Sequence, residues 1–346
     1  MLKNTRVVEV ERATGAEAPV QVWTQPADGG SPVSLPADRV VSTVSVGVLK
    51  RAINEKLPPS SRMTFSPALP RSHREALKAL NMGRLEKLVL FFDTMFWQRT
   101  QLYADGGNEA MYFLGYVPAS LGEAVKFQDI VFSNEQSSAI FFIGGDDVLR
   151  YFKGVVAGTS EFEALKVNIQ TQAMAAITDI FANDERFLDP NGNPIEVEEP
   201  LTNHTLLTSW TNDPYSSGSY AYLNKKAGLC GVTQWGEDLD DIPDSNADFD
   251  GRRAEEVEGY SKVRLALGKP ASSGPWSGRL FFAGEATSLT VPALVHGAIE
   301  SGRRAAIEVA DKSTCRVELM GKTKEETALH LEKALRGGSV PRVQAE

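Results

Sequence analysis

Lys87 is the position where residue type and spacing make the strongest chemical demand. It stands in Leu85-Glu86-Lys87-Leu88-Val89-Leu90-Phe91-Phe92-Asp93, a strand pattern whose alternation puts the lysine on the face carrying Leu85, Val89 and Phe91. An ammonium on such a face is costly to bury, so either its stem snorkels to a strand end or it is kept there to act on something. A second candidate is Gly284-Glu285, which closes the apolar strand Leu280-Phe281-Phe282-Ala283 ahead of an amphipathic helix from Ala293 to Ala310. A strand, a glycine turn and a helix in that order set N–H groups at the carboxyl end of a strand, where α/β sheets bind anionic cofactors. Glu285 also has a plainer reading, as an acid stabilised by the helix dipole.

Metal chemistry finds no support. His73, His204, His296 and His330 lack ligand spacing, and Cys230 and Cys315 lie far apart, outside any CxxC arrangement. Asn246, Asp248, Asp250 and Gly251 imitate the start of an EF-hand loop, but Val257 stands where the bidentate glutamate is needed. A solvated acidic loop is expected there.

The elements that must position these residues follow from period and punctuation. Arg6 to Val10, Val20 to Trp23 and Arg39 to Val44 alternate as strands between Gly and Pro-rich turns, predicting a β-meander. Ser72 to Glu75 reads as a capping box before a short helix bearing Ala76, Leu77 and Leu80. Further strands are predicted at Ala110 to Tyr116, Asp129 to Ser133 and Ala139 to Gly144. A second capping box, Ser160 to Glu163, opens a long helix with Phe162, Leu165, Ile169, Ala173, Ala176, Ile177 and Ile180 on one side. Asn224 to Gly278, rich in Asp, Gly, Pro and Ser, reads as an irregular surface excursion, and Thr323 to Glu326 caps a terminal helix.

Composition bounds the partners. The 346 residues are 42% apolar, enough for a substantial core, and 36 Lys and Arg against 45 Asp and Glu give a net charge of -9. That balance disfavours nucleic acid and attracts cationic small molecules or basic peptides. No apolar run is long enough to span a bilayer and the start carries no apolar signal core, so an intracellular protein, cytoplasmic or nuclear, is expected.

Two passages are far more specific than periodicity. Leu280-Phe281-Phe282-Ala283-Gly284-Glu285-Ala286-Thr287 with Val295-His296-Gly297-Ala298-Ile299-Glu300-Ser301-Gly302, and Trp210-Thr211-Asn212-Asp213-Pro214-Tyr215 with Gly218-Ser219-Tyr220-Ala221-Tyr222, closely resemble the flavin-containing amine oxidases. This family includes polyamine oxidases, monoamine oxidases and lysine-specific histone demethylases. The resemblance runs back through Ala37 to Thr43, Gly47 to Lys50 and Phe65 to Pro70 to Lys87 and Phe96-Trp97, covering most of residues 1 to 312.

The resemblance implies an α/β (α+β) fold: an incomplete doubly wound FAD-binding domain plus a mixed-sheet substrate domain flanked by helices. Its parts would be 1–50 and 279–312 for the FAD domain, 51–222 for substrate, 223–278 for the excursion and 313–346 for a terminal helix and tail. It further implies that Lys87 holds a water against flavin N5, that Gly284, Glu285, Leu294 and Val295 bind FAD, and that Trp210, Tyr220 and Leu294 line the amine cavity. Hydride would pass from the α-carbon of a polyamine-type amine to the flavin, with O2 as acceptor and hydrogen peroxide as product. The alternatives are methyl-lysine in a histone tail as substrate, or a catalytically inactive fragment.

Three departures qualify the picture. Ser219 stands where monoamine oxidases carry the cysteine that tethers flavin, so the FAD is expected to be non-covalent. Leu294 replaces a second cavity tyrosine, which puts a paired-ring cage in doubt. No GxGxxG turn occurs anywhere in these residues, implying a truncated product that on its own binds FAD weakly or not at all.

Overall fold

A computed structural model describes residues 2–12, 18–104, 113–116, 124–133, 135–223, 262–272 and 274–311. The EF-hand-like run at Asn246 and the expected terminal helix from Thr323 lie outside them. The chain divides into two compact units: the first draws on Met1–Val44, Leu49–Asn81 and residues from Leu223 onward, the second on Ser45–Val48 and Met82–Tyr222.

In the first unit two of the three predicted meander strands pair, as Thr5–Arg12 and Val20–Pro26, and their sheet gains two further members, while the third, read at Arg39 to Val44, is Val40–Ser42 and lies in another sheet. The sheet order is Val33–Ala37, Val20–Pro26, Thr5–Arg12, Thr64–Ser66, the last pair parallel and the others antiparallel. Val33–Ala37 is hidden in the sequence by its proline. Pro36 is tolerated because this strand lies at the end of the sheet order, where a missing N–H removes no central ladder bond. Separately, Val40–Ser42 pairs in parallel with Leu280–Phe282, whose three side chains are all buried, as a parallel strand's unbroken apolar run demands.

Two local expectations change. The helix Arg71–Ala79 starts after Pro70 with no side-chain cap, so Ser72 already lies inside its first turn and the Ser72 to Glu75 capping box does not form. The supposed surface excursion is not surface throughout: residues 262–268 form a helix that buries Val263, Arg264, Ala266 and Leu267, and Trp276 is buried with its indole donating to the Pro67 carbonyl at 3.1 Å. This helix is under two turns, too short for a periodic signal to stand out.

The second unit is built on a five-stranded sheet in the order Leu206–Leu207, Leu85–Phe91, Ser138–Gly144, Phe127–Phe132, Phe113–Tyr116, each neighbouring pair antiparallel. Leu88, Leu90, Phe127, Ile130, Phe132, Phe141 and Ile143 bury one face of it. The long helix Ser160–Asn183 lays Phe162, Ile169, Ala173, Ala176, Ile177 and Phe181 into that core, as its period requires. Its cap is one residue earlier than read: the Thr159 hydroxyl accepts the Phe162 N–H at 3.3 Å. An aromatic cluster closes the core, with Phe92, Phe96 and Trp97 edge to face at ring separations of 5.2 to 5.9 Å.

Candidate active site

The alternation of Leu85–Phe91 is as expected, with a different consequence. Leu85, Lys87, Val89 and Phe91 share the half-buried face, while Glu86, Leu88 and Leu90 point into the core. Lys87 is therefore not sunk in the core. It pairs across the sheet with Phe142, and its ammonium lies 4.9 Å from the centre of that ring, a cation–π contact. Among the described residues its ammonium has no carboxylate partner.

The buried charge on this strand is Glu86, fully enclosed. Its carboxylate accepts the Thr208 hydroxyl at 2.7 Å and the backbone N–H groups of Trp210 and Thr211 at 2.9 and 2.8 Å. Sequence reasoning passed over it, although its parity with Leu88 and Leu90 was a usable signal.

Trp210 and Tyr220 lie in the same unit as Lys87. Trp210 is 45% exposed, so its ring is not part of the core. Tyr220 packs on Gly83 so closely that an added Cβ there would fall 2.4 Å from its ring. Ser219 grips the first residue of the lysine strand from both sides, its hydroxyl accepting the Leu85 N–H at 2.9 Å and donating to the Leu85 carbonyl at 2.7 Å.

Gly284, Glu285, Leu294 and Val295 belong to the first unit. Gly284 follows Leu280–Phe282 at φ +124°, a conformation L side chains rarely adopt. Its amide donates to the Ser301 hydroxyl at 2.9 Å, and that hydroxyl donates back to its carbonyl at 3.0 Å. Two arginines that the sequence reading missed hold the rest of the turn. Fully buried Arg264 donates to the Ala286 carbonyl at 3.0 Å, and Arg304 donates to the Phe282 carbonyl at 2.8 Å and the Thr287 hydroxyl at 3.2 Å. Glu285 accepts the Ala293 N–H at 2.8 Å, tying the turn to the segment that leads into the helix Val295–Asp311. Leu294 is exposed and Val295, the first residue of that helix, is 77% exposed.

A family model for flavin containing amine oxidoreductases matches residues 1–310. The chain belongs to the flavin-containing amine oxidoreductase family. A Drosophila melanogaster protein named possible lysine-specific histone demethylase 1 is 31% identical over 282 residues, 81% of this chain and 25% of that protein. Lysine-specific histone demethylase 1 homolog 1 of Oryza sativa subsp. japonica is 27% identical over 277 residues, 79% of this chain and 23% of that protein. A solved putrescine oxidase, redesigned in its cofactor binding, overlays with a TM-score of 0.51 at 16% identity, covering 90% of this chain and 49% of that one. At that identity the likeness is one of fold. The chain thus spans about a quarter of the length of these curated relatives and about half of the solved oxidase.

The family's cofactor is FAD. The residues of the first unit fit part of such a group. At Gly284 an added Cβ would find only the Thr43 carbonyl oxygen, 3.9 Å away, so the turn leaves open space above its backbone. Exposed Leu294 and Val295 offer apolar surface where the helix begins, and the N–H groups of a helix's first turn have no partner within it, a combination suited to a flat ring with an electronegative edge. Among the described residues no group of His, Cys, Asp and Glu could hold a metal, and no helix is long and apolar enough to cross a membrane.

Proposed function

We propose that this amine oxidoreductase oxidises a polyamine-type amine with non-covalently bound FAD, O2 serving as the final acceptor. The observation that carries the reading is the placement of Lys87 in the second unit: an ammonium on a half-buried sheet face, steadied over Phe142, with no carboxylate to neutralise it among the described residues. Such a group can order a water and lend it a positive field as negative charge develops nearby. Bound FAD supplies the two-electron acceptor. Trp210 and Tyr220 offer ring faces to an alkylammonium or the amine it becomes on losing a proton. Ser219 is consistent with a non-covalent cofactor, since its hydroxyl is committed to Leu85. In the first unit Gly284, Glu285, Leu294 and Val295 hold cofactor through open backbone, an acid and a helix N-terminus.

The relatives named histone demethylases support a second reading, in which the amine is a methylated lysine side chain. Peroxide release from spermine against that from a methyl-lysine peptide, measured with added FAD, separates the two. Lys87→Met is expected to slow flavin reduction or reoxidation about a hundredfold, in the range of a lost electrostatic donor; unchanged rates would remove its assigned role.

A further inference from the structure

The edge strand of the second unit ends in an unusual way. Leu206 and Leu207 pair with Val89 and Leu88, and the next residue, Thr208, still donates its N–H to the Lys87 carbonyl at 2.9 Å. Yet the Lys87 N–H goes at 2.8 Å to the Thr208 hydroxyl, not to a carbonyl, and that hydroxyl donates onward to Glu86. The chain then leaves the sheet and closes a single helical turn, with the N–H groups of Asn212 and Asp213 on the Ser209 carbonyl at 3.2 and 3.0 Å. The first N–H groups of such a turn have no partner inside it. Here they belong to Trp210 and Thr211, and both are taken by Glu86.

We propose that Glu86 is a positioning residue: acting as a cap from the neighbouring strand, it sets the turn that presents Trp210 and fixes the Thr208 link to the Lys87 backbone. The proposal rests on the reading of Lys87 and Trp210 as amine-site residues. Three donors and no acceptor converge on the carboxylate, so an apolar side chain in its place would orphan three donors around a buried position. Glutamine fares only partly better. One of its ends is an NH2 group, which would face either Thr211 N–H or the pair from Thr208 and Trp210. The far end of the turn is held independently, the Asp213 carbonyl accepting the Ser217 N–H at 2.7 Å, and at Trp210 itself the Gly218 N–H holds only the carbonyl side, at 2.9 Å. Glu86 therefore governs the end that carries the ring.

The test uses the full chain labelled with 15N-tryptophan, in which five tryptophans are counted. In the wild type the Trp210 backbone amide is expected to exchange slowly although its ring is exposed. In Glu86→Gln that exchange should speed up about tenfold or more, and the Trp210 amide and indole resonances should move while those of Trp97 and Trp276 stay. A wild-type Trp210 amide exchanging at the free-chain rate overturns the proposal, and this arm decides alone if the variant does not fold. Unmoved Trp210 resonances in a folded Glu86→Gln chain overturn it as well. With FAD supplied, Glu86→Gln should lower the rate of amine-driven flavin reduction about tenfold at equal FAD uptake; an unchanged rate beside shifted resonances denies the positioning role. If the wild type shows no flavin reduction, the amine-oxidase reading falls, and the exchange arm still judges the hold of Glu86 on Trp210.

Discussion

Gly83 shows how a single absent methyl can govern an aromatic face. Its N–H donates to the Tyr220 carbonyl at 2.7 Å, its carbonyl accepts the Ser219 N–H at 3.0 Å, and the Tyr220 ring fills the space a Cβ would need. In Gly83→Ala the contact is with the far end of the ring, so the ring swings aside and the backbone holds. Amine kcat/KM is expected to fall about tenfold, by the usual cost of a misplaced contact, with little change in urea midpoint. Lys87 and Glu86 mark what was legible at this scale. The lysine stood out because strand alternation set a charge among apolar neighbours. The parity of the glutamate with Leu88 and Leu90 marks its burial, but its partners escape a local pattern, because its three donors come from residues more than a hundred positions away.

Element starts were harder to read than element interiors. The core side of the helix Ser160–Asn183 was plain from its period, yet the capping hydroxyl is that of Thr159, one position before the apparent box. Only Ser160 has a glutamate three residues on, so the box motif pointed to it, and backbone geometry sets the cap at Thr159, with Phe162 in the third position. Thr159→Ala should cost about 1 kcal/mol of unfolding free energy, while Ser160→Ala, which loses only a contact with Glu161, should cost little; urea titration distinguishes them. Strand Val33–Ala37 was masked for a related reason. Proline argues against a strand in general, and only the finished sheet order shows that this one is at the end.

For the molecule as a whole, one source of pH dependence is a histidine that no metal or catalytic pattern singled out. His73 is buried, stacks at 4.7 Å on the Phe282 ring and has its Nε2 2.9 Å from the Lys269 carbonyl. Burial lowers its pKa from the ordinary 6.5, with the bond to Lys269 opposing more weakly. The unfolded chain therefore takes up the proton first. Its contribution to stability is whole above pH 6.5 and is lost as pH falls below that value toward the folded-state pKa. Urea midpoints at pH 8 and pH 5 should show a steeper decline for the wild type than for His73→Gln; equal declines would assign the pH dependence elsewhere. Fold class and family were legible at this scale because they rest on long runs of pattern and motif. The division of the chain between compact units depends on which distant segments pair.

That division bears on synthesis. Most of the second unit is one continuous stretch, Met82–Tyr222, whereas Val40–Ser42 in the first has its partner at Leu280–Phe282. At about 5 to 20 residues per second, the early strand emerges from the ribosome on the order of ten to fifty seconds before the late one exists. During that interval Val40–Ser42 has no ladder partner, and its open backbone groups are available to any other extended strand that reaches them first.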